Sequence, residues 1–145
     1  MKINLQPIGI VKNNITELKG RNRKEIVSEI IINKDLIEAL HKIDDFSHII
    51  VIYWMHKLPP SQRSVIKVHP RGNKDLPLVG VFASRSPARP NPLGITTVKL
   101  LERRDNILKV SGLDAINGTP VLDIKPYLPD HDYTSEIKTP GWLAK

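Results

Sequence analysis

Along most of the chain, apolar residues either alternate with polar ones or gather in short unbroken runs. Pro, Gly, Asn or a cluster of charges closes each stretch. Alternation is the strand period, because successive side chains leave a strand on opposite faces. LQPIGIVKN (5–13) and EIVSEIIIN (25–33) predict two such strands, the second rich in β-branched residues. FSHIIVIYWMHK (46–57) is apolar on both faces, which predicts a central, buried strand rather than an edge. SVIKVHP (64–70) predicts a strand stopped by Pro70, and LVGVFA (78–83) a short buried one. GITTVKLLERR (94–104) and NILKVSGLDA (106–115) flank a predicted tight turn at residues 104–106. Asn117 and Gly118 both tolerate positive φ, so they predict a hairpin turn joining VSGLDAI to TPVLDIKPY.

One stretch has a different period. In KDLIEALHKI (34–43), Leu36, Ile37, Leu40 and Ile43 share a face at helical spacing, and Asn33 is placed to cap a short helix. NITELKGRNRK (14–24) is polar and basic and reads as a mobile connector; beyond Tyr127 the chain reads as an extended, proline-punctuated tail. About seven short strands, one helix and no βαβ alternation predict a mainly β fold, a single small barrel or sandwich. With 145 residues, and no internal repeat, linker or low-complexity block, one domain over residues 1–145 is expected.

Composition narrows the chemistry. There is no cysteine, which excludes disulfides, thiolate metal sites and a cysteine nucleophile. No apolar run approaches the ~18 residues a membrane span needs, and MKINLQPIGI lacks the features of a signal peptide. A cytoplasmic location is therefore expected. Lys and Arg total 22 against 15 acids, a formal charge of +7, which favours a polyanionic partner and nucleic acid first. Phosphate-loop and dinucleotide fingerprints are missing. His48 and His56 share strand parity but are eight residues apart, roughly 26 Å along a strand and too far for one metal. No metal is expected. Ser84 and Ser86 lack a nucleophile-elbow context and are expected to bond nearby backbone.

RSPARPNPLG (85–94) is the most unusual stretch. Pro87, Pro90 and Pro92 fix φ at three places, so the loop is stiff before any partner arrives. Arg85 and Arg89 offer planar donor forks for carboxylate or phosphate, Asn91 an amide, and Gly94 room for a flat ligand or another backbone. The alternative is a rigid connector with solvated arginines. In LDAINGTPVLDIKPY (113–127), Asp123 and Lys125 share parity and can pair on one face, which by itself is the ordinary fate of a surface pair. The backbone at 117–119 can cradle an adenosine or an amino-acid group.

Three blocks together, FSHIIVIYW with His56 (46–56), GVFASRSPARPNPLG (80–94) and LDAINGTPVLDIKPYLP (113–129), resemble the TrmO family in order and spacing. The resemblance implies an S-adenosylmethionine-dependent methyltransferase built on a β-barrel. It implies a tRNA substrate carrying N6-threonylcarbamoyladenosine beside the anticodon, methylated at N6, and a homodimer with cofactor sites near the subunit interface. Carried over residue by residue, it implies cofactor contacts at His56, Lys57, Arg85, Ile95, Asn117, Gly118, Thr119 and Pro120. Many bacterial members have Asp at the position of Asn117 and a Pro-Arg-Gln segment where this chain has KGRNRKEIV (19–27).

For such a transfer the target nitrogen must be held in line with the methyl and must lose its proton. Asp114, Asp123 and Tyr127, with His56 beside them, are the candidate proton acceptors. Arg89, Asn91 and Lys125 are the candidate substrate contacts, and Tyr53, Trp54, Tyr127 and Tyr133 the aromatic platforms for a base. Two other functions fit the same charge: a non-catalytic RNA-binding barrel, and a methyltransferase with a different acceptor.

Overall fold

The computed structural model describes residues 1–144. Its strands, in chain order, are β1 (Gly9–Lys12), β2 (Val27–Ile32), β3 (His48–Trp54), β4 (Lys67–Val68), β5 (Val79–Gly80), β6 (Leu93–Arg104), β7 (Ile107–Ser111) and β8 (Pro120–Pro126). Six of them close a barrel in the order β1-β2-β7-β6-β3-β8, antiparallel at every pairing, and β4 with β5 forms a separate two-stranded ladder. Closure leaves the barrel no long unpaired edge.

Alternation puts the apolar set inside. Val11, Ile30, Ile32, Ile49, Val51, Val98, Leu108, Val110 and Val121 are buried in one cluster, joined by Tyr53 and Leu113. Each such aliphatic side chain is worth roughly 1.5–3 kcal/mol when taken out of water. Strand β3 is central as expected, paired along its length with β6 and β8.

The chain forms two compact units. The first, the barrel, comprises Met1–His56 and Leu93–Tyr127; the second comprises Lys57–Pro92 and the segment from Leu128 onward. In the second unit the expected strands shrink to the two residues each of β4 and β5. Residues 81–83 turn into a 3₁₀ segment in which only Val81 is buried, while Leu78 and Phe82 are exposed. The two-residue ladder offers no sheet face to cover those side chains, so an apolar run did not make a buried strand.

Other expectations are corrected. Residues 34–43 do not form an α-helix: Lys34–Leu40 is 3₁₀, and Lys42 breaks it with φ 72. Leu36, Leu40 and Ile43 still pack on the barrel core. So tertiary burial rather than helix propensity sets the conformation of this short piece. Asn33 does not cap it with its side chain but donates from Nδ2 to Pro7 O at 3.1 Å. The short α-helix lies elsewhere, at α1 (Pro129–Asp132). The Asn117-Gly118 turn joins no hairpin, since β7 pairs with β2 and β6 while β8 pairs with β1 and β3. Among its residues only Gly118 has positive φ, 85°. The tight hairpin lies at Asp105 (φ 53) and Asn106, with Arg104 opposite Ile107.

Candidate functional site

Where β3 runs out, its last buried residue and the turn after β7 meet. Tyr53 is 3% exposed and its ring lies where a Cβ on Gly94, its register partner on β6, would stand. The space expected at Gly94 for a ligand is thus taken by this ring, and Tyr53 is core rather than a stacking platform. Its hydroxyl donates to Asp114 O at 2.8 Å. A carbonyl can only accept, so Thr96 Oγ1, at 2.9 Å, donates in turn to Tyr53. This buried chain fixes the backbone of Asp114 and leaves its carboxyl side chain exposed.

Three residues after Tyr53, the His56 ring reaches the 116–119 turn. A Cβ built on Gly118 would lie 3.7 Å from His56 Nε2. The turn itself is held on every side. Gly118 N donates to Val11 O at 2.8 Å, Val11 N to Thr119 O at 2.9 Å, and Asn117 N to Ile15 O at 2.9 Å. Thr119 is buried and its Oγ1 donates to Ile116 O at 2.8 Å.

Asn13, which the sequence reading passed over, is the hub of this brace. Its backbone N–H donates to Asn117 Oδ1 at 3.0 Å, and its Nδ2 donates to Ser28 Oγ at 2.9 Å and Ala115 O at 3.1 Å. Asn13 Oδ1 accepts from Ile15 N at 3.0 Å, and Ile15 is buried, so this start of the expected mobile connector is anchored. The one local signal was the Asn pair closing the first predicted strand, which suits an Asx turn.

The other candidates of the barrel are not gathered here. Asp123 pairs with Ile52 in register and forms an exposed ion pair with Lys125 Nζ at 3.0 Å, as the shared parity predicted. Tyr127 N donates to His48 O, at the opposite end of β3 from His56. The seven residues of β3 lie between those ends, about 20 Å of strand.

In the second unit the proline loop is bound to itself. Arg89 donates from Nε to Ser86 O at 2.7 Å and from Nη2 to Val81 O and Ser84 O, both at 2.6 Å. It braces the loop rather than presenting a fork to a ligand. Ser84 and Ser86 bond nearby backbone as expected, through Ser84 Oγ to Val81 O and Ala88 N to Ser86 Oγ. Arg63 Nη2 donates to Asn91 Oδ1 at 3.2 Å, and Arg63 Nε to Pro90 O at 2.7 Å. Arg85, by contrast, is exposed on the rim of a cleft of about 970 Å³ lined by residues of this unit alone. Among the described residues, no group of three or more His, Cys, Asp or Glu is arranged to hold a metal, and no helix is long and apolar enough to cross a membrane.

Residues 12–133 match the model of the tRNA-methyltransferase O N-terminal domain, TrmO_N. The chain belongs to the TrmO family. Its relatives include an S-adenosyl-L-methionine-binding protein of Archaeoglobus fulgidus, 42% identical over 138 residues, 92% of this chain and 96% of that protein. The tRNA (adenine(37)-N6)-methyltransferase of Rattus norvegicus is 40% identical, over 92% of this chain and 32% of that enzyme. A crystal structure of TrmO from Pseudomonas aeruginosa matches with a TM-score of 0.78 at 28% identity, across 97% of this chain and 62% of that one. The chain therefore spans less than two thirds of the crystallised TrmO. The TrmO match takes in the Asn13 brace, the His56–Gly118 contact, the proline loop and β8.

Proposed function

We propose that the chain is an S-adenosylmethionine-dependent tRNA methyltransferase that methylates N6 of N6-threonylcarbamoyladenosine beside the anticodon. The observation that carries this reading is the glycine turn against His56, in a chain whose relatives carry S-adenosylmethionine-binding and tRNA (adenine(37)-N6)-methyltransferase names. The turn suits the cofactor as a rigid wall: its backbone N–H groups are tied to Val11, Ile15 and Ile116, and a Cβ at residue 118 would stand in van der Waals contact with Nε2. His56, Ile95, Asn117, Gly118, Thr119 and Pro120 are the barrel's proposed contacts. In the second unit, Lys57 and Arg85 are proposed cationic contacts of the kind that suits a carboxylate.

S-adenosylmethionine supplies an electrophilic methyl on a sulfonium. This chain's residues hold the partners in line and remove a proton. Asp114 is the proposed acceptor of the N6 proton, because its backbone is pinned by Tyr53 while its carboxyl group remains exposed. Arg85 takes over the anionic contact that the sequence also offered to Arg89, whose donors serve the loop. A homodimer is supported by Leu93, Ile95 and Leu101, large apolar side chains exposed on β6. The charge of +7 supports tRNA as partner, and with it the cytoplasm as the place of work.

Digestion of tRNA to nucleosides after incubation with the chain and S-adenosylmethionine tests the reading. Mass spectrometry should find threonylcarbamoyladenosine heavier by one methyl and every other nucleoside unchanged. A methyl on another nucleoside would assign a different acceptor.

A further inference from the structure

We propose that the cleft of the second unit is a groove for single-stranded RNA, with a base stacked on Phe82 and phosphates held by Arg71 and Lys74. The inference rests on the reading above only for the identity of the RNA.

Three observations carry it. Among the described residues the lining includes Arg71, Lys74 and Arg85 and neither Asp nor Glu, so the described side-chain charge of the cleft is of one sign. Phe82, on its wall, is 83% exposed although its neighbour Val81 is buried and anchored by Val81 N donating to Ile66 O at 2.9 Å. A phenyl ring held out of the core by a fixed backbone is a platform. Trp142 gives the cleft a second aromatic. Cations beside exposed aromatic faces are the combination that binds unpaired nucleotides, since every base has a π-face and every linkage a charge.

The walls are also stiff, so little ordering is left for the moment of binding. Arg89 ties together the carbonyls of Val81, Ser84 and Ser86, on either side of Phe82 in the chain. Elsewhere in the lining, His69 Nδ1 donates to Leu76 O at 2.9 Å, and Gly72 N to His69 O at 3.0 Å. Arg71 and Gly72 hold successive positive φ values of 58 and 66. Arg71 Nη2 lies 3.5 Å from Leu143 O, so the guanidinium sits beside the Trp142 segment.

Binding of a fluorescein-labelled single-stranded RNA of anticodon-loop sequence, followed by anisotropy without cofactor, tests the groove. Wild type should prefer this strand to the same sequence in a duplex. Phe82→Ala should weaken binding about five- to hundred-fold, the range for losing one stacked base, and Phe82→Trp should restore it. Lys74→Ala should lower the salt slope by about 0.7, the value for one phosphate contact on a single strand. Affinity for S-adenosylmethionine should be unchanged in all three.

No binding by wild type, or equal binding by wild type and Phe82→Ala, would overturn the proposal. So would a Phe82→Ala chain that loses self-association while keeping its RNA affinity, which would make this face a subunit interface. Failure here differs from failure of the methyltransferase reading. RNA binding that needs Phe82 without methyl transfer leaves the groove standing, and methyl transfer with KM indifferent to Phe82 leaves only the enzyme.

Discussion

A Cβ at residue 118 would meet the His56 ring in van der Waals contact, 3.7 Å from Nε2, and Gly118 stands at φ 85, a conformation that side chains resist. Gly118→Ala therefore adds backbone strain of roughly 1–2 kcal/mol and puts a methyl into the proposed cofactor space. Thermal unfolding should drop by several degrees, and calorimetric affinity for S-adenosylmethionine should fall about tenfold. Thr119→Ser, which keeps the hydroxyl bonded to Ile116 O, should leave affinity near wild type.

The Tyr53 hydroxyl links Thr96 to the backbone beside Asp114. Tyr53→Phe removes one buried donor and leaves the Asp114 carbonyl unanswered, at a cost of about 1–3 kcal/mol. Urea unfolding should show that loss at unchanged slope. The rate of methyl transfer should fall more than KM rises, because the segment carrying Asp114 loosens.

The two aspartates are separable. Asp114→Asn should lower kcat by about 10²–10⁴-fold, the usual range for a lost general base, with the fold intact. Asp123→Asn breaks only the exposed pair with Lys125, worth about 0–1 kcal/mol, and should leave both rate and stability nearly unchanged.

Arg89 and Arg85 should fail in different ways. Arg89→Ala strips three backbone carbonyls of their shared donor, and the second unit should become sensitive to limited proteolysis in residues 81–90. Arg85→Ala touches an exposed side chain, so the proteolysis pattern should match wild type while cofactor affinity falls.

The contrast between those arginines marks where the sequence was informative. Strands β2 and β6 were legible because one buried face imposes alternation, β3 as a run apolar on both faces, and three family blocks were legible as patterns of residues. Residues 34–43 misled because Leu36, Leu40 and Ile43 can reach one core from a 3₁₀ segment as well as from an α-helix. Asn117-Gly118 carries hairpin chemistry, yet the partners of β7 and β8 are chosen by barrel closure, which no local pattern records. Asn13 was invisible for the same reason: Ala115 and Asn117, which it binds, lie 102 and 104 residues away. In RSPARPNPLG the two arginines are alike on paper, and only the fold decides which one is used internally.

The most direct measurement is transfer of labelled methyl from S-adenosylmethionine to purified tRNA, with and without the threonylcarbamoyl group on its adenosine. Label on the modified tRNA alone is the predicted result. Equal label on both would contradict the proposed acceptor, and label on neither would contradict the proposed reaction.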